Sequence, residues 1–304
     1  MTSGRLKHLS TVSKMILLLV MMLAAMFLVS LLANFLGSVF YGGIEFDKEL
    51  LMSDVRVVKL LQFAQSLVVF VIPSAIAAYL FSNAPLKDLY GNSSVSLNIL
   101  FVSAFTILVS QYFIVWTGQV NSRMALPGGW VKLSGWIAKT EEGAQNLMAM
   151  LTESNHGLGF FINVVLLAIL PAIGEEWLFR GHLQKYFAGW SKSIHVGVFV
   201  TSVLFAAMHL QFMTFLPRFF LGLILGYLFY FGGNLWYSII GHFTNNFLAL
   251  LFMQASDAES IVSNQAGLQQ EFNFSWGVAL SGLAVIALLY YIRRVKLLQK
   301  TSQI

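Results

Sequence analysis

Apolar residues run along this chain in long blocks, and eight of the blocks are long enough to cross a bilayer. They cover 15–40, 60–81, 97–117, 158–187, 194–212, 215–232, 234–254 and 274–292, close to the roughly 17–25 residues a spanning helix needs. The pattern predicts an all-α polytopic membrane protein with about eight transmembrane helices, built as one membrane domain over 1–304. The fourth block is unusual: its apolar part stops at Ile173 and a charged, helix-compatible segment continues to Phe187. The sixth and seventh are parted only by Gly232-Gly233-Asn234, which reads as a tight turn.

Composition agrees with lipid as the main solvent. The chain is 58% hydrophobic and 10% charged, with a mean hydropathy of +0.75, where soluble domains carry about a quarter charged residues. The first block follows Arg5, Lys7 and Lys14 and runs from Met15 to Phe40, beyond the roughly 7–15 residues of a signal-peptide core. It is therefore expected to be an uncleaved first helix. With no cysteine in the chain, disulfides, thiolate metal sites and a cysteine nucleophile are excluded.

The net charge of +5 could suggest an anionic partner, but its distribution is topological. If eight spans alternate, one face receives ten basic residues: Arg5, Lys7, Lys14, Lys87, Lys185, Lys192, Arg293, Arg294, Lys296 and Lys300. The other receives six, Lys48, Arg56, Lys59, Arg123, Lys132 and Lys139, together with most acidic loop residues. Basic-rich loops stay in the cytoplasm, so both termini are expected there and no nucleic-acid partner is expected. A bacterial plasma membrane fits this pattern.

The longest connection, 118–156, contains Leu126-Pro127-Gly128-Gly129 and then a segment 141–152. In that segment Ala144, Leu147, Met148 and Leu151 repeat at helical spacing behind Glu141 and Glu142. Acidic residues suit a helix N-terminus, so an amphipathic helix on the outer interface is predicted, with a gate over a site as the alternative.

Charges inside spans cost about 2.5–3.5 kcal/mol each on insertion scales and mark function or a specific partner. In Glu175-Glu176-Trp177-Leu178-Phe179-Arg180, Glu176 and Arg180 are four apart and share a helix face, which predicts an ion pair. Glu175 is turned about 100° away and is left without that partner. Two histidines also fall in spans: His209, at the end of Phe205-Ala206-Ala207-Met208-His209, and His242, four residues before Asn246. Each alone could be polar glue between helices. Yet counted from the predicted cytoplasmic ends, Glu175, His209, His242 and Asn246 lie roughly 18, 22, 12 and 18 Å deep at about 1.5 Å per residue. Residues of independent helices thus converge at overlapping depths. Arg218 reads as a snorkelling interface residue, Gly222 and Gly226 as a close-packing GxxxG, and His182 as a solvated helix end.

The three motifs Glu175-Glu176-x-x-x-Arg180, Phe205-x-x-x-His209 and His242-x-x-x-Asn246, in this order, resemble the signature of the CPBP family. That family comprises CAAX proteases and bacteriocin-processing enzymes, also called the type II CAAX prenyl endopeptidase group. The resemblance covers 158–254. It implies an eight-helix membrane fold with a conical cavity open toward the cytosol and the membrane, and an intramembrane endopeptidase acting on a membrane-associated peptide or protein.

Peptide hydrolysis requires a held water, a base and donors to the developing oxyanion. The expected roles are Glu175 as general base, His209 positioning the same water, and His242 and Asn246 donating to the oxyanion. Glu176, Arg180 and Phe205 support them from behind. Glu175, His209 and His242 could instead hold a divalent metal such as Zn²⁺ in a two-His, one-Glu set, although no HExxH pattern is present. The sequence leaves both versions open. The rival class is a non-enzymatic membrane protein, a proton-coupled transporter or an immunity or scaffold factor, because buried Glu and His also serve proton relays.

Overall fold

The computed structural model describes residues 3–41, 54–91, 93–124, 130–152, 156–255 and 275–301. Lys48 and the Leu126–Gly129 motif lie outside these residues. The described chain is all helical, in ten helices: α1 (Thr11–Tyr41), α2 (Val55–Phe81), α3 (Pro85–Tyr90), α4 (Leu97–Ser122), α5 (Val131–Thr152), α6 (Gly157–Ser191), α7 (Ile194–Ala207), α8 (Phe215–Gly232), α9 (Leu235–Ala255) and α10 (Trp276–Thr301). Six of them, α1, α2, α4, α6, α8 and α10, are long and apolar enough to cross a membrane. The chain is an integral membrane protein. The helix α7 is apolar but short, and α9 falls outside the six because its polar run from His242 to Asn246 lowers its mean hydropathy.

The outer surface is what lipid as solvent demands. Phe27, Phe35, Phe101, Leu280 and Ile286 are each more than 60% exposed, patches that water would not tolerate on a monomer. The interior is built around α8, which packs against α4, α7, α9 and α10. Leu178, Phe179, Phe205, Leu225, Leu228 and Tyr237 form its buried centre. A Cβ on Gly222 would meet Ser202 of α7 at 2.9 Å, and one on Gly226 would meet Val198 at 2.9 Å. The GxxxG pair therefore does set the close α7–α8 approach.

The turn between α8 and α9 is the predicted one. Gly233 adopts φ +69 and its N–H closes the helix onto the Phe229 carbonyl at 2.8 Å, a left-handed cap that glycine adopts without steric cost. Asn234 then accepts from the Trp236 N–H at 3.1 Å to start α9.

Two long helices contain wide π turns, Ser66–Val71 in α2 and Val164–Ile169 in α6, each just before a proline, Pro73 and Pro171. A proline inside a helix lacks an N–H and crowds the carbonyl four residues back; the widened turn relieves both problems. A third π turn, Trp177–Leu183, directly follows the glutamate pair.

Hydrogen bonds sort the helix ends onto two sides. On one side the N-terminal segment meets the end of α2 (Gly4 N–H to Tyr79 O, 2.9 Å), Ser93 meets the end of α8 (Oγ to Gly232 O, 3.2 Å), and Lys296 of α10 reaches Ser94 O at 3.1 Å. On the other, Asn121 at the end of α4 bonds the α7–α8 connection through Phe212 O (2.9 Å) and the Leu216 N–H (2.6 Å). Neighbouring spans alternate in direction, as the eight-block pattern requires.

The connection after α4 departs from its reading. The helix predicted over 141–152 begins ten residues earlier, at Val131, so Glu141 is not a first-turn residue. Its side chain is buried and its Oε1 accepts the Met213 N–H at 2.7 Å. This acceptor role, not a helix dipole, accounts for the carboxylate. His182, read as a solvated helix end, is also buried: Nε2 is 2.9 Å from Ser74 O and Nδ1 3.2 Å from the Tyr186 hydroxyl.

Candidate active site

Arg180 is 1% exposed and Glu176 fully buried. One turn of helix brings them together, with Arg180 Nη1 donating to Glu176 Oε1 at 2.6 Å. A buried ion pair is tolerable only when its remaining hydrogen-bonding atoms are also satisfied, and here several are. Arg180 Nη2 donates to Gly222 O at 3.0 Å, and its guanidinium lies 4.8 Å from the centre of the Phe205 ring. Glu176 Oε1 also accepts Nδ1–H of His242 at 2.8 Å, and Oε2 accepts from the Ser238 hydroxyl. Four residues after Arg180, Gln184 Nε2 donates to Gly226 O at 3.1 Å. Arg180 and Gln184 thus match two glycine carbonyls one turn apart on α8.

Glu175 has a different setting. It lines a cavity of about 500 Å³ together with Phe205, His209, His242 and Asn246. Its Oε2 is buried and makes no hydrogen bond; His242 Nε2 lies 3.9 Å from it. Because Glu176 can only accept from His242 Nδ1, the ring is fixed with Nε2 on the Glu175 side. Phe205 packs edge-on against both histidine rings, 5.2 Å from His209 and 5.6 Å from His242. The cavity therefore has one aromatic wall that sets both imidazoles.

His209 arrives by a route unlike the one predicted. The fifth block was expected to stay helical to 212, but α7 ends at Ala207 and Leu210 turns the chain with φ +53, a backbone region rare for such a residue. His209 sits in this turn and is exposed. Its Nδ1–H donates to Phe205 O at 2.8 Å, which leaves Nε2 as the free nitrogen. Asn246 Oδ1 accepts from Asn245 Nδ2 at 3.3 Å, so the Asn246 amide N–H groups remain for other partners.

Two further residues bear on the site in ways their sequence reading does not give. Arg218 does not snorkel: it lines the cavity, and its two terminal nitrogens donate to Thr214 and Gln211. Ser238, the partner of Glu176, carried a signal at sequence level, because Ser238, His242 and Asn246 are spaced by four along one face of α9. The amphipathic helix α5 also contributes, since Ala144, Leu147, Met148 and Leu151 line the same cavity.

The proposed metal set does not assemble. Among the described residues no three His, Asp or Glu side chains are grouped closely enough to hold one metal ion, so Glu175, His209 and His242 do not form a ligand cluster in this arrangement.

The cavity and the chain termini lie at opposite ends of the bundle. The cavity residues come from the middle of α2 and of α6, from α5, from the C-terminal end of α7, the start of α8 and the part of α9 from His242 onward. The expectations of cytoplasmic termini and of a cavity open to the cytosol are thus not both satisfied.

These features define an integral membrane protein with a polar, carboxylate-bearing cavity among its helices. Residues 157–248 match the family described as Type II CAAX prenyl endopeptidase Rce1-like, and the chain carries a domain of that family over those residues. No curated protein and no solved structure matches the chain.

Proposed function

We propose that this protein is an intramembrane endopeptidase that hydrolyses a membrane-associated peptide or protein with a water activated by Glu175. The observation that carries this reading is the cavity: an unpartnered Glu175 oxygen shares it with His209, His242 and Asn246. The family matched by 157–248 supports the same class of chemistry. The full fold in this reading has eight spans, with α7 and α9 joining the six long apolar helices, and both termini in the cytoplasm.

The Glu175 carboxylate takes the proton of the attacking water as general base. The free Nε2 of His209 accepts the water's second hydrogen bond and holds it against the scissile carbonyl. The tetrahedral oxyanion takes the Asn246 amide as a donor. His242 donates from Nε2 only when its ring carries both protons, with Glu176 as the counter-charge at Nδ1. The proton on Glu175 then passes to the leaving amine. Glu176, Arg180 and Ser238 touch no substrate in this scheme; they fix the ring of His242. Phe205 packs edge-on against both imidazoles and limits their rotation.

The test is a comparison of membranes carrying wild type and Glu175→Gln. Expected is a precursor peptide that accumulates with the variant and is cleaved by purified wild type in detergent or vesicles. Equal peptide profiles together with loss of a transport phenotype would reject the endopeptidase reading.

A further inference from the structure

We infer that the site is reached from the non-cytoplasmic side of the membrane, so that its substrates are peptides whose scissile segment lies in or beyond that half of the bilayer. They are translocated or secreted chains still held by a membrane anchor, as opposed to tails displayed in the cytosol. The inference rests on the endopeptidase reading for the word substrate, but the sidedness itself does not.

Three observations carry it. First, hydrogen bonds place the N-terminal segment, the start of α4, the end of α8 and the end of α10 on one side. The cavity lies in the other half of the bundle, between the start of α8 and the later turns of α9. His209 and Met208 are exposed there, and α5 covers that end with Leu147 and Met148.

Second, charge divides between the two sides. The sequence joining helix ends on the terminus side carries ten Lys and Arg and one acidic residue, Asp88. The sequence joining helix ends on the cavity side carries six Lys and Arg and ten Asp and Glu. The remaining charges, Glu175, Glu176, Arg180 and Arg218, sit within spans and sum to zero. The positive-inside rule counts basic residues in short connections near span ends, and every connection here is short. It places the terminus side in the cytoplasm and the cavity outside.

Third, the helix over the site has the chemistry of an outer interface. Glu141 ties α5 to the α7–α8 connection through the Met213 N–H at 2.7 Å, while Glu142 and Gln145 face outward and are exposed. On the terminus side a separate cavity of about 440 Å³ is lined by Lys87, His182 and Lys185 and by none of the four site residues, and Arg180 and Gln184 close onto the α8 carbonyls between the two.

The absence of cysteine makes the test direct. Single cysteines at Glu142, Gln145 and Asn146 report the cavity side, and single cysteines at Lys87 and Gln299 report the terminus side. All five positions are exposed, so the substitutions leave the core alone. In intact cells a membrane-impermeant maleimide is expected to label the first three and to reach Lys87→Cys and Gln299→Cys only after permeabilisation. The reverse pattern would overturn the inference and leave the endopeptidase reading standing. A second measurement maps the peptides that accumulate with Glu175→Gln: cleavage sites in translocated segments support the inference, and sites in cytosolic segments overturn it. Outside labelling with no Glu175-dependent cleavage of any peptide would retain the sidedness and reject the protease.

Discussion

Glu175 and Glu176 are neighbours in the chain and both are held inside the bundle, yet they live in different chemical environments. Glu176 is fully buried and its two oxygens serve Arg180, His242 and Ser238. Glu175 keeps one oxygen without a hydrogen bond on the wall of a 500 Å³ cavity. A carboxylate saturated with donors is a structural anchor, since moving it or protonating it breaks several bonds at once. One that lines a cavity and is not saturated with hydrogen bonds retains its basicity for a reaction. Adjacent residues point about 100° apart on a helix, and that rotation is enough to separate the two jobs.

The comparison can be broken at either glutamate. Glu175→Gln is expected to lower the cleavage rate by about 10²–10⁴-fold, the usual contribution of a general base, with the unfolding temperature unchanged. A Glu175→Gln protein that unfolds earlier would give Glu175 the same structural role as its neighbour. On the other side, Arg180→Met strands a buried carboxylate and is expected to cost about 3–5 kcal/mol of stability. The double variant Glu176→Leu/Arg180→Met should regain part of that loss, because two apolar residues leave no orphaned charge. Thermal unfolding of the purified protein in detergent measures both.

Smaller changes sharpen the division. Asn246→Ala is expected to reduce kcat by about 10²–10³-fold, as for loss of one oxyanion donor, with KM retained; a rise in KM alone would move Asn246 from the reacting atoms to substrate binding. Ser238→Ala removes one hydrogen bond to a charged group and should cost about 1.5–3 kcal/mol of stability. Its residual activity should exceed that of Asn246→Ala. Gly222→Ala, which brings a Cβ within 2.9 Å of Ser202, should cost about 1–3 kcal/mol through overpacking, and it also shifts the carbonyl that Arg180 uses.

Much of this was legible one residue at a time. Apolar block length predicted eight spans, six of which are long apolar helices, and Gly232-Gly233-Asn234 predicted the turn, because both signals are local. The Glu176–Arg180 pair followed from spacing of four, which survives even with a π turn beginning at Trp177. The four candidate site residues were also named from the sequence, and the structure brings them to one cavity. The misreadings share a cause. His209 was counted as helical because the apolar run continues past Ala207, and run length cannot show where a helix unwinds. Arg218 and Glu141 looked like surface charges because their partners, Gln211, Thr214 and the Met213 N–H, lie in or across a turn.

By itself, then, the sequence determined the solvent, the helices, the alternating direction of neighbouring spans and the inventory of polar groups that would have to meet inside. These depend on composition and on spacing within one helix. Only the tertiary structure decided that Ser238 and His242 saturate Glu176, that α5 covers the cavity, and that the cavity lies toward the end away from the termini. Those are questions of which faces of different helices meet, and that is set by packing across α8, where glycine permits close approach, rather than by any periodicity a single helix carries.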